Sequence, residues 1–301
     1  MLSTTAYASF EVVGLTALLR SCRNGGVILC YHNVVAPGSD ASSGDTSLHM
    51  DLDLFRAQMQ WLVSHYDLIP LRDLVGRLAS GRSIRRCAAV TFDDAYAETL
   101  ENACPVMREL GIPATLFVIA DAPGRTEGFW WDQPVVRDAA PDRQRERWLR
   151  GLGGDGNAIL RSLSPRGPHV VSTRHPPADW DVIKRATVSG FDVGAHSATH
   201  RALPELEASE LAQEIETSRE IIAGRIGVTP ELFAYPYGLW NERVREVVQR
   251  AGYSGAVALD HGLVGPGSDR WALPRINVPA RITGPAFRAW TAGLRLRRAP
   301  R

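Results

Sequence analysis

Residues 88–94 read AAVTFDD, an apolar run that stops on two adjacent carboxylates, Asp93 and Asp94. Successive strand residues point to opposite faces, so a strand continuing through both would drive one charge into an apolar layer. A buried carboxylate without a partner, a proton or a cation is costly. The strand is therefore expected to end at Phe92. The chain would then turn so that both carboxylates reach one cavity beyond the strand's carboxyl end, where α/β folds carry their chemistry. Taken alone, the stretch is read as well by two aspartates that cap a helix or sit solvated in a turn.

Outward from this point the same rhythm repeats. Strands are expected at 27–31, 68–70, 88–92, 114–119, 191–195, 232–235 and 255–259, and helices at 54–65, 71–79, 180–188, 209–226 and 242–251. Pro105 suits the first turn of a short helix ending at Gly111. Strand–helix alternation predicts a parallel sheet, open or closed into a barrel. Residues 121–178 break the pattern, with Trp130, Trp131, Trp148, a glycine-rich turn at 151–156, several prolines and little regular period. Such a stretch reads as an insert of the lid or binding-loop kind within one catalytic domain spanning 1–301.

The 301 residues are 45% hydrophobic and 22% charged, enough for a full core. A net charge of +1 speaks against a nucleic-acid partner. Lys184 is the single lysine, and the arginines are scattered apart from a closing cluster, Arg295, Arg297, Arg298 and Arg301, read as a solvated tail. Cys22, Cys30, Cys87 and Cys104 show no CxxC spacing and read as thiols rather than disulfides or a thiolate metal site. The moderately apolar stretch 10–19 is interrupted by Glu11, is too short to span a bilayer and lacks a basic leader region. A cytoplasmic protein without a transmembrane segment is the expectation; its oligomeric state is not legible.

Five strands end on polar or turn-forming residues: His32, Asp93-Asp94, His196 with His200, Tyr237-Gly238, and Asp260-His261. Endings that converge are what the active face of a barrel requires. The sharpest is HSATH, 196–200, whose histidines four apart would share one face of a helical turn. An isolated HxxxH is more often two ordinary histidines. With one aspartate it becomes a His₂–carboxylate set, a catalytic zinc arrangement with a position left open. The second aspartate is then free to act as a base.

The segments VTFDDAYAETLENACPVMRELGIPATLFV, FDVGAHSATH and ELFAYPYG resemble the polysaccharide deacetylase family, the family-4 carbohydrate esterases. The resemblance implies an irregular (β/α) barrel. It also implies removal of acetyl groups from an N-acetylhexosamine-containing glycan or glycoconjugate with a divalent metal, usually zinc. Carried over residue by residue, Asp94, His196 and His200 would hold the metal and Asp93 would be the general base. Tyr237, in the PYG turn, would offer its backbone N–H to the oxyanion.

Three departures stand out. The family's third-motif arginine, which orients the base, is replaced by Ala234, and Arg275 in LPRINV is the candidate stand-in. The Asp–Trp motif is not evident. The late leucine–histidine motif that supplies a general acid is also missing, whereas exopolysaccharide deacetylases with a rearranged motif order carry that histidine early, in a YHxV context. Residues 31–34 read YHNV, so His32 is the expected acid, with a pKa held near neutrality by an acidic or carbonyl neighbour, and His261 the fallback. Trp130 or Trp131 would offer a flat face to a sugar ring. Rival readings are a deacylase of another small amide or O-acetyl ester, and a catalytically inactive glycan-binding barrel.

Overall fold

Strands that read as unbroken apolar runs are strands covered on both faces. In the computed structural model, which describes residues 2–12, 14–39, 44–139, 142–163 and 172–295, these are β1 (Val27–Tyr31), β5 (Cys87–Phe92) and β6 (Ala114–Val118), buried throughout. With β7 (Phe191–Ala195), β8 (Leu232–Ala234), β9 (Gly255–Val257) and β10 (Ile276–Asn277) they form one parallel sheet in the order β10-β1-β5-β6-β7-β8-β9. The short β4 (Asp67–Leu68) pairs with the start of β5. A second pair, β2 (Asn33–Val35) with β3 (His49–Asp51), stands beside the carboxyl ends of the strands.

The sheet curls until its edges share one chain segment. Leu273 bridges to Val257 of β9, and three residues later Ile276 pairs with Leu29 of β1. The expected irregular barrel is therefore what forms, closed through a segment too short to be read as a strand. Ile28, Ala89, Phe117, Leu232, Val257 and Leu273 fill the inside. Gly194 makes room there, since a Cβ at that position would lie 2.4 Å from the Phe117 ring.

The alternate residues of the same strands face the surrounding helices. These are α3 (Leu52–His65), α5 (Ala97–Glu109), α9 (Trp180–Val188), α10 (Ala208–Ile226) and α11 (Glu242–Arg250), whereas α4 (Leu71–Ala79) packs Leu71, Leu74 and Val75 against the inside cluster. The N-terminal helices α1 (Leu2–Val12) and α2 (Leu15–Cys22) pack with α12 (Gly284–Thr291), where Glu11 pairs with Arg288. No helix of the described residues is long and apolar enough to cross a membrane. Of the closing arginines only Arg295 lies within the described residues.

Two expectations need correction. Pro105 lies inside α5 rather than at the start of a helix. The carbonyl that loses its donor belongs to Glu101, on the exposed face of the helix. The insert is also more regular than its sequence: it carries a 3₁₀ turn, Trp130–Asp132, and helices α6 (Pro134–Ala139), α7 (Asp142–Gly151) and α8 (Gly156–Leu163). Prolines and glycines divide these into pieces too short to show a period.

Candidate active site

Left-handed backbone builds the site. Asp93 continues the ladder, its N–H donating to the Tyr31 carbonyl at 2.9 Å. Asp94 and Ala95 then take φ of 70° and 56°, which turns the chain and swings the second carboxylate over the mouth beside the first. After β7 the His196 N–H donates to the Val118 carbonyl at 2.8 Å, and Ser197 and His200 follow with φ of 60° and 63°. The expected helical turn is therefore absent, and HSATH forms a bend instead. Glu214 of α10 clamps it: its carbonyl accepts from the Ala198 N–H and its carboxylate from the Thr199 N–H, each at 2.9 Å. Non-glycine residues at positive φ are uncommon, and a cluster of them marks a backbone held for a purpose.

The result is a tight triangle. The Nε2 atoms of His196 and His200 lie 3.2 Å apart, and each is 3.6 Å from Asp94 Oδ1. A four-coordinate zinc with bonds of about 2.0–2.2 Å spaces its ligand atoms about 3.3–3.6 Å apart. His196 donates from Nδ1 to the Ala234 carbonyl at 2.8 Å, which leaves its Nε2 lone pair facing the centre. Asp94 Oδ1 is buried with no hydrogen-bond partner. Burial, then the charges of Asp93 and Asp132, push the Asp94 carboxyl well above its usual range. Burial lowers both histidines. Two imidazole Nε2 atoms and one carboxylate oxygen converge within 3.6 Å of one another in a buried space, and their kind and spacing fit a divalent cation.

Asp93 is held differently. Arg275, wholly buried, grips both carboxylate oxygens at 2.7 Å, and its Nε donates to the Ala258 carbonyl at 3.0 Å. Burial alone would raise Asp93, but the guanidinium overrides it and holds the carboxyl well below the usual range. The arginine thus arrives from the closing segment of the barrel, while position 234 contributes only its carbonyl. Asp93 Oδ2 lies 3.8 Å from His196 Nε2.

His32 ends β1 on the same face, one ring nitrogen within 4.8 Å of the Asp93 carboxylate. Its pKa is not near neutrality: burial lowers it to about 4, against the raising charge of Asp93. Tyr237 sits in a left-handed turn, φ 58°, with its ring 4.4 Å from that of His200. The turn's own bonds run from Gly238 to Tyr235 and from Leu239 to Pro236, and neither uses the Tyr237 N–H. His261 lies elsewhere, edge-on to Trp290 at 5.0 Å, and no contact among the described residues joins it to the cluster.

The insert does flank this site. Trp131 packs on His200, ring centroids 4.7 Å apart, but it is 4% exposed and its indole donates to the Tyr96 hydroxyl at 2.8 Å. Trp130, the less buried of the two, and Trp131 both line a cavity of about 830 Å³ bordered also by His200, Arg201 and Asp155. The glycine-rich turn presses on the Pro236–Gly238 turn, for a Cβ at Gly154 would lie 3.2 Å from the Tyr237 hydroxyl.

Behind the triangle runs a polar network that sequence reasoning missed. Tyr96 donates to Asp132 at 2.7 Å, and His49 Nε2 meets the other oxygen at 3.1 Å. His49 stacks on His175 at 4.0 Å, and His175 pairs with Glu98 at 2.5 Å. Asn33 links them, donating to Glu98 at 2.7 Å. Its members are far apart in sequence, and only the Trp131-Asp132 neighbourhood hints at it.

A family model described as polysaccharide deacetylase matches residues 80–256, more than half of the chain. The poly-beta-1,6-N-acetyl-D-glucosamine N-deacetylase of Staphylococcus aureus (strain MSSA476) is 22% identical over 231 residues, 74% of this chain and 66% of that one. IcaB from Ammonifex degensii superposes with a TM-score of 0.65 at 21% identity, covering 90% of this chain and 98% of that one. The Streptococcus pyogenes deacetylase PplD does so with a TM-score of 0.64 at 17% identity, covering 89% and 98%. At these identities the structural likeness is one of fold. With three motifs in order on a curled parallel barrel, and the family model spanning two of its aspartates and both histidines, the chain belongs to the polysaccharide deacetylase family.

Proposed function

We propose that this chain is a hydrolase that removes acetyl groups from an N-acetylhexosamine-containing glycan, one catalytic unit with the insert shaping its cleft. The observation that carries the reading is the buried triangle of His196, His200 and Asp94, whose Oδ1 has no hydrogen-bond partner, set beside an Arg275-held Asp93. Asp94, His196 and His200 would hold a divalent ion, and a set of two imidazoles and one carboxylate suits zinc. When bound, the ion supplies Lewis-acid chemistry to the acetamide carbonyl and to the attacking water.

The chain's own groups handle the proton. Asp93 Oδ2, the oxygen turned toward His196, accepts it from the water; Arg275 keeps that carboxylate ionised and fixed in direction. The Tyr237 N–H donates to the oxyanion that develops on the carbonyl. The nitrogen that departs must gain a proton. His32, neutral at rest and within 4.8 Å of the Asp93 carboxylate, is placed to carry it there. Trp130, at the cavity wall, offers the apolar face for a sugar ring, and Trp131 supports His200 instead.

The relatives named as poly-β-1,6-N-acetylglucosamine deacetylases make that polymer the first substrate to try. The test is acetate release from β-1,6- and β-1,4-linked N-acetylglucosamine oligomers by zinc-loaded protein, with metal content measured alongside. Acetate from an N-acetylated oligomer supports the reading. Release from O-acetyl esters alone moves the activity to ester hydrolysis, and full zinc occupancy without acetate from any of these overturns it.

A further inference from the structure

We propose that the chain carries a second metal site, for a soft divalent ion, formed by Cys30, His32 and Asp93, through which excess zinc or cadmium inhibits the enzyme. The inhibition rests on the function proposed above; the binding does not. Cys30 is wholly buried near the end of β1, with Sγ 3.4 Å from Asp93 Oδ2. One ligand-type atom from each of Cys30, His32 and Asp93 lies within 4.8 Å of the other two. Among the described residues this is the one such group besides Asp94, His196 and His200.

The donor sets differ in kind. The first site offers two imidazoles and a carboxylate; the second offers sulfur, nitrogen and oxygen, and thiolate sulfur selects zinc and cadmium over magnesium or calcium. Zinc–sulfur bonds are about 2.3 Å and zinc–nitrogen bonds about 2.0–2.1 Å, so the three atoms must draw together. His32 is the member that can move, being half-buried while Cys30 and Asp93 are enclosed.

Charge sets the order of filling. Arg275 already neutralises Asp93, so a second cation must find its countercharge on Cys30. Binding replaces the S–H bond by a sulfur–metal bond and releases the proton to solvent. Burial pushes the Cys30 thiol well up, which makes that exchange costly and leaves the second site weaker than the first. It therefore fills only when metal is in excess. Once filled, it ties up both the Asp93 oxygen and the His32 nitrogen that the proposed reaction uses.

The test is a cadmium titration of zinc-loaded protein in a Cys22→Ser background, because Cys22 is the exposed cysteine. Bound metal per chain and the ultraviolet thiolate-to-cadmium charge-transfer band are followed together. One cadmium beyond the zinc, with a band that Cys30→Ser abolishes and His32→Ala weakens, supports the site. The band should persist in His200→Ala, which separates this outcome from the fate of the first site. Inhibition of acetate release by excess cadmium, relative to each variant's own rate, should be lost in Cys30→Ser. No band at saturating cadmium, or a band indifferent to both Cys30→Ser and His32→Ala, overturns the proposal. The first of these is read on the unaltered core, so a variant that fails to fold does not shield it.

Discussion

Two histidine pairs lie near Tyr96, and they could hardly be arranged more differently. His196 and His200 come from one bend, meet edge to face with centroids 4.7 Å apart, and point their Nε2 atoms at each other and at Asp94 Oδ1, an oxygen with no hydrogen-bond partner. His49 and His175 come from segments 126 positions apart by their numbering, stack at 4.0 Å, and are each matched to a carboxylate, Asp132 and Glu98. Both pairs are buried. Buried polar groups are normally satisfied, so the pair that faces the unpartnered Asp94 Oδ1 is the one that asks for a ligand, and the pair matched to carboxylates is the one that holds structure. Convergence of histidines alone distinguishes nothing; what they lack does.

The comparison makes opposite demands on substitution. His200→Ala should abolish stoichiometric metal binding, read by elemental analysis, and with it acetate release. Yet the metal-free protein should lose little stability, because the three groups oppose one another there. Asp94→Asn sharpens this: it removes a buried carboxylate that burial, Asp93 and Asp132 all disfavour as a charge, and in chelator it should raise the melting temperature. A fall in melting temperature for Asp94→Asn in chelator would mean that the triangle is structural after all.

Asp93→Asn comes next in size. A base is lost and no ligand, so metal content should hold while turnover falls by about 10²–10⁴-fold, the usual worth of a general base. Arg275 still finds one oxygen on the asparagine, which limits the damage to the fold. Near-normal turnover in this variant, measured at full metal occupancy, would remove Asp93 from the reaction.

How much of this was legible in the sequence follows the range of each interaction. The end of β5 and the HSATH pair are local, so the carboxylates, the histidines and the parallel barrel could be read from short stretches. The way the histidines converge could not, because left-handed φ at Ser197 and His200 has no signature in those residue types. Arg275 was one arginine among many. Its grip on Asp93, 182 positions away, exists only once the barrel closes. His32 was placed correctly at the mouth, but its depressed pKa comes from burial that only packing creates. The network through Asn33, His49, Glu98, Asp132 and His175 draws on five separated segments and left no local trace.

That satisfied pair should behave as a scaffold. His49→Ala removes one of the two donors to Asp132 Oδ1, the Asp45 N–H remaining at 2.9 Å, so the cost should fall at the lower end of the about 1–3 kcal/mol that a fully orphaned buried acceptor carries. Melting temperature should fall, metal stoichiometry should remain, and metal affinity should drop by about 10-fold, as is usual when support behind a ligand is removed. Loss of metal stoichiometry with unchanged stability would exchange the roles of the two pairs.

The smallest effect tests whether the two pairs are connected at all. Tyr96 is the joint: its hydroxyl accepts from the Trp131 indole at 2.8 Å and donates to Asp132 at 2.7 Å, and Trp131 rests on the His200 ring. Tyr96→Phe keeps the ring and its edge contact with Phe129, centroids 4.9 Å apart, and removes only the relay. Two hydrogen bonds of net worth about 0.5–1.5 kcal/mol each are lost, partly offset because Asp132 retains His49. If the network fixes His200 through Trp131, metal affinity should weaken by a few-fold alongside this modest destabilisation. A double-mutant cycle between Tyr96→Phe and His49→Ala should then show strong non-additivity, because both act through the same carboxylate. Strict additivity, with unchanged metal affinity in Tyr96→Phe, would mean that the scaffold and the site share a wall and nothing more.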